Sequence, residues 1–186
     1  MKEKRFAKIE IRSDNSKQLV LTGRPVILNQ PTVIAEDYKE VIAPGALDGT
    51  DLTDVRLLYN HDLSTVPLAR TPKTMALTVD PAGLTFTATL PDTEYGRTVY
   101  EAVKRGDLSG MSFSFKVPEG GDSYDPATNT RTITKIEKIY ECSIVPFPAY
   151  PQTSVEARDA IKAGRTRWKA KQHAKLLIHQ IMKVRF

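Results

Sequence analysis

The sequence is poor in cysteine and histidine. One cysteine, Cys142, stands among 186 residues. No internal disulfide can form, and a reducing compartment is the expected home. No apolar run approaches the roughly 20 residues that a membrane-spanning helix needs. The opening MKEKRFAKIEIRSDN lacks the apolar block of a signal peptide. A cytoplasmic location with no membrane partner is therefore expected. HExxH, CxxC and a glycine-rich phosphate loop are all missing. The acids of PEGGDSYDPATNT do not have EF-hand spacing. His173 and His179 are six positions apart and do not share one helix face. No metal and no other cofactor is expected.

Forty per cent of the chain is hydrophobic, and its length suits one domain that buries a core without cross-links. The net charge of +5 is uneven. From Arg158 to Phe186 there are nine Lys or Arg residues against one acid, Asp159, leaving 18 basic and 21 acidic residues elsewhere. The basic excess thus belongs to a tail. Such a tail can hold nucleic acid or an acidic protein, or simply keep a surface solvated. Gly164 reads as the boundary between a domain at 1–164 and a basic amphipathic segment at 165–186.

The first half reads as strands. QLVLTGRPVIL is rich in β-branched residues, with a Gly-Arg-Pro interruption that suggests a bend or bulge. Two β-rich runs around Asp80-Pro81-Ala82-Gly83 predict a hairpin. Asp92 or Thr93 can cap a helix whose apolar stripe is Tyr95, Val99, Ala102 and Val103, and which Gly106 would end. GMSFSFKV alternates strictly, so a half-buried strand is expected, with Met111, Phe113, Phe115 and Val117 inward and Ser112 and Ser114 on a partly exposed face or groove. PEGGDSYDPATNT reads as a loop, and RTITKIEKIYECSIV as one long strand. In that strand, parity puts Ile139, Glu141, Ser143 and Val145 on one face. TSVE has the capping-box pattern of a helix start. The sum is a mainly β domain with helices (α+β), with a closed or nearly closed antiparallel barrel favoured by the many short strands.

His61 ends an apolar run, LLYNH, and enters a polar loop. Read alone, it is a surface histidine, Glu141 a cross-strand ion-pair partner, and the two serines ordinary strand residues. Read together, His61, a serine and Glu141 have the types of a nucleophile–base–orienter set. Serine is a weak nucleophile and needs a base. Imidazole titrates near working pH, and its second nitrogen needs an acceptor. Asp62 is a rival orienter or a turn cap. Cys142 reads as a small buried hydrophobe.

Four ordered blocks, YKEVIAPGAL, LLYNHD with LART behind it, RGDLSGMSFSF and YECSIVPFPAYPQT, resemble those of the tailed-phage prohead proteases. These capsid-maturation serine peptidases are similar in fold to the herpesvirus assemblins. The resemblance spans about Tyr38 to Thr153. It implies an assemblin-like barrel, His61 as general base, Ser112 as nucleophile and Glu141 as the acid that orients His61. Ser114 lies where the family usually has a small residue, often glycine, and is a supporting candidate. Arg131 is an oxyanion candidate by analogy. The implied substrates are the scaffold or an extension of the major capsid protein, and the protease itself, cut inside the procapsid in the host cytoplasm. Assemblins dimerise to become active, so a homodimer fits the resemblance. Nucleic acid is expected only through the basic tail, which autocleavage could remove. The alternative is an inactive assembly or scaffolding protein that acts through that tail.

Overall fold

β-branched residues in alternation make strands here, and charged or proline-containing turns end them. The computed structural model describes residues 2–8, 11–13, 18–35, 37–146, 166–170 and 172–175. In chain order the strands are β1 (Lys2–Lys8), β2 (Ile11–Ser13), β3 (Val20–Ile27), β4 (Thr32–Ala35), β5 (Tyr38–Ile42), β6 (Arg56–Tyr59) and β7 (Ala69–Arg70). Then come β8 (Met75–Asp80), β9 (Gly83–Thr89), helix α1 (Glu94–Arg105), β10 (Gly110–Lys116), β11 (Asp122–Asp125), β12 (Thr130–Ile133) and β13 (Lys138–Val145). Residues 166–170 and 172–175 are also helical. The capping box at Thr153 and the boundary at Gly164 lie outside the described residues. No helix among the described residues is long and apolar enough to cross a membrane.

The mainly β, α+β expectation holds, but the described strands do not close into a barrel. They form three sheets, ordered β1-β10-β13-β6-β7, β11-β12-β5-β4 and β2-β3-β9-β8. The expected long strand from Arg131 to Val145 is the reason in part. It breaks at residues 134–137, whose N–H groups donate to the carbonyls of Gly121, Ala46 and Lys116 instead of continuing one ladder. β12 therefore sits in one sheet and β13 in another. The expected loop before it also holds a strand, β11, which forms a hairpin with β12. The turn between them is closed by the Asp125 carboxylate, which accepts from the Ala127 N–H and the Thr128 hydroxyl.

Other local readings hold. The Gly-Arg-Pro interruption is a register shift between Gly23 and Val26 in the β3–β9 pairing. It frees Arg24 to reach Asp80 with two bonds of 2.6 and 2.7 Å. Asp80 also accepts from the Ala82 and Gly83 N–H groups, closing the β8–β9 hairpin. Gly83 has φ 146°, and a Cβ there would lie 1.9 Å from the Val26 carbonyl oxygen, so only glycine fits. Of the two cap candidates, Thr93 is the one used: its hydroxyl accepts from the Gly96 N–H at 3.2 Å. Gly106, left-handed at φ 85°, ends the helix.

One hydrophobic core joins the elements. Val99, Tyr100 and Val103 of α1 meet Leu57 of β6, Leu84 and Phe86 of β9, Met111, Phe113 and Phe115 of β10, and Cys142 and Ile144 of β13. Burial of each large side chain contributes about 1.5–3 kcal/mol. The strand parity expected for β13 fails at one point. A bulge shifts the register so that Phe115 faces Ile139 while Ser114 faces Glu141. The extra residue resets the alternation. Ile139 thus joins the core, and Glu141 is left on the serine face.

Candidate active site

β10 lies between β1 and β13. Ser112 pairs with Ser143, and Ser114 with Glu141. Directly opposed residues share a face, so these four polar side chains stand together on the face away from the core. The sequence suggested a serine face that is partly exposed or lines a groove; Ser112, Ser114 and Ser143 are all 0% exposed, which excludes the first alternative. A strand flanked on both edges and covered on both faces keeps no solvent side.

His61 is delivered from the other flank of β13. β6 runs parallel to β13, and the ladder extends one step further, from the Asn60 N–H to the Ile144 carbonyl at 2.9 Å. The backbone then turns sharply. Asn60 and His61 are both left-handed, at φ 51° and 59°. Two such residues in succession are costly for non-glycine side chains and cluster at functional sites. The turn aims the imidazole back over β13. Its Nδ1 lies 2.8 Å from Oε1 of Glu141. Both side chains are nearly buried, at 11% and 6% exposure. An ionised carboxylate can only accept, so Nδ1 carries the proton and donates it to Glu141. In the neutral ring Nε2 is then the basic nitrogen.

Ser143, which was not among the sequence candidates, touches both groups. Its hydroxyl donates to Glu141 Oε2 at 2.5 Å and accepts from the His61 N–H at 3.2 Å. The signal for it was available, since it follows Glu141 by two positions and shares its face.

The remaining candidates separate. Ser112 donates its hydroxyl proton to the Arg5 carbonyl at 2.8 Å. Ser114 Oγ is buried, with no hydrogen-bond partner among the described residues. Asp62 serves as a turn cap. It accepts from the Ser64 hydroxyl at 2.6 Å and the Ser64 N–H at 2.8 Å, which hold its carboxyl below the ordinary value. Cys142 is buried in the core, and burial pushes its thiol well up, out of the reactive range.

Arg131 lies in a buried ion cluster. It donates to Asp122 at 2.6 Å, to Glu40 at 2.9 Å and through two nitrogens to Glu3, one of these bonds 2.9 Å long. Arg5 meets the same Glu40 and Glu3. Two guanidiniums against three carboxylates leave one negative charge, and Arg167 reaches Asp122 at 2.8 Å to balance it. Burial works to raise the Glu3 carboxyl, but hydrogen bonds and charge from Arg131 and Arg5 outweigh it and hold Glu3 below its ordinary value. Arg5 links cluster and site: its guanidinium belongs to the first, its carbonyl to Ser112.

Residues 7–166 match the profile of caudovirus prohead serine proteases. The chain belongs to this family. It is accordingly a serine protease with a role in phage capsid maturation, and its substrates by family lie among capsid and scaffold proteins. No curated protein and no solved structure matches it. The match covers the elements that carry His61, Ser112, Glu141 and Ser143, and begins after Arg5.

Proposed function

We propose that this protease is an endopeptidase with a Ser112–His61–Glu141 triad. The observation that carries the proposal is the buried His61–Glu141 hydrogen bond beside a strand face that bears Ser112. Ser112 Oγ attacks the scissile carbonyl carbon while His61 Nε2 takes its proton. The tetrahedral intermediate collapses, the C–N bond breaks, and His61 returns the proton to the leaving amine. Water, deprotonated by the same nitrogen, then hydrolyses the acyl-enzyme ester. Glu141 stabilises the imidazolium in both halves. Ser112 is buried and bonded to Arg5, so attack on a polypeptide first requires its hydroxyl to turn and to become accessible. Arg131 takes a structural part under this reading, because its donors are directed to carboxylates.

A fluorophosphonate, which esterifies activated serines, tests the assignment on the full chain within assembled shells. The expected result is one adduct on Ser112 by peptide mapping, lost in His61→Ala. An adduct on Ser114 would move the nucleophile, and no adduct in wild-type shells would sink the triad.

The substrates proposed are the scaffold or an N-terminal extension of the capsid subunit, and the chain itself. The basic segment 165–186 docks on scaffold of acidic character, a reading supported by the charge asymmetry. Deletion after Gly164 is expected to abolish co-packaging while sparing fluorophosphonate labelling of the soluble protein. Normal packaging of the truncated chain would show that the tail has no such part.

A further inference from the structure

We infer that Ser143 is a positioning residue that locks the base and its carboxylate into one geometry. The inference deepens the triad reading and rests on it. A carboxylate that orients a histidine has two oxygens, and only one faces the ring. Oε1 of Glu141 takes the imidazole proton, while Oε2 takes the Ser143 proton at 2.5 Å. With both oxygens engaged, rotation of the carboxylate is blocked. The Ser143 oxygen meanwhile accepts from the His61 N–H. That bond pins the second of the two left-handed residues, whose conformation is costly and reverts unless held. One hydroxyl thus fixes the ring's acceptor and the ring's own backbone. It has one proton to give and lone pairs to accept, so both bonds form at once. Alanine could make neither, and cysteine would make both poorly.

The electrostatic surroundings are simple. His61 is the titratable group brought against Glu141. Arg56, the register partner of Glu141 on β6, turns instead to Asp54 at 3.2 Å. From β10 the facing residues are the uncharged Ser112 and Ser114. The hydroxyl of Ser143 thus shares stabilisation of the carboxylate with the His61 ring. Its loss frees one carboxylate oxygen and lets the acceptor of the ring rotate.

The experiment measures the rate of fluorophosphonate labelling at Ser112 for wild type, Ser143→Ala and Ser143→Thr. A hydrogen bond to a charged group, lost outright, corresponds to roughly 10–100-fold. Ser143→Ala is expected to label that much more slowly. Ser143→Thr, which keeps the hydroxyl, is expected to recover most of the wild-type rate. A Ser143→Ala protein with the wild-type rate overturns the proposal. A second readout does not depend on labelling. The Nδ1–H proton resonance of His61 is followed by NMR in Ser112→Ala, with and without Ser143→Ala. Its loss or broadening in the double variant supports the positioning role, and an unchanged resonance overturns it. Should wild type fail to label at all, the triad reading fails, and the resonance still decides whether Ser143 holds His61 against Glu141.

Discussion

Ser112→Ala is expected to leave both the chain and its co-expressed capsid or scaffold partner at full mass, where wild type shortens them. The substitution removes one oxygen from a wholly buried position on β10. It leaves Met111, Phe113 and Phe115 in the core, so the fold should persist. It does remove the bond to the Arg5 carbonyl, a cost of about 1 kcal/mol. The chemical loss is much larger. In a serine triad, deletion of the nucleophile alone costs roughly a million-fold in turnover, because the remaining members act only through it. Intact-mass spectra read this contrast without kinetics. Equal cutting by both proteins would exclude Ser112 and turn attention to Ser114, the other buried serine on β10. No cutting by wild type, even in assembled shells, would favour an assembly protein that works through its tail.

Arg131→Met should destabilise the fold strongly, and for a reason separate from the chemistry. The substitution leaves Glu3, Glu40 and Asp122 with Arg5 and the half-exposed Arg167 as cations. Breaking a buried ion pair by removing one partner typically costs about 3–5 kcal/mol, since the surviving charge stays desolvated. Urea unfolding in the Ser112→Ala background, free of proteolysis, measures it. Arg97→Ala, which breaks the exposed pair with Asp92, serves as the control and should leave the midpoint in place. The pH dependence has a defined sign. Glu3 is depressed in the folded state, so its contribution is complete above its ordinary value of 4.5 and is lost as pH falls through the lower folded value. Wild-type stability should therefore decline below that pH, more steeply than in Arg131→Met. Labelling per folded molecule separates the two parts imagined for Arg131. Retention fits the cluster, and loss from folded protein would restore the oxyanion role expected by analogy.

How much of this was legible in the sequence depends on the range of the interaction. Thr93, Gly106 and the Asp80 turn act within a few residues, and their chemistry is visible in the string. His61, Ser112 and Glu141 were found by type and by resemblance, but the His61–Glu141 contact depends on β13 pairing parallel with β6, and the place of Ser112 beside Ser143 on β13 depends on the antiparallel pairing with β10. No local pattern encodes that. The bulge that puts Ile139 in the core broke the parity count, because alternation survives only while the register is unbroken. The ion cluster was illegible for the same reason: Arg131 and Glu3 are 128 residues apart. Ser143 was passed over because a serine between core residues looks like a neutral choice until its two neighbours are known.

The central placement of β13 sets when the enzyme can exist during its own synthesis. The described strand made last is the one inserted between β10 and β6, and His61 waits 80 residues for Glu141. Pairings of such long sequence separation form slowly and late. Under the proposed triad, a nascent chain that has released β6 and β10 but not β13 holds His61 and Ser112 without Glu141. On that reading proteolytic competence awaits β13, and a translation product interrupted before Glu141 carries no active protease.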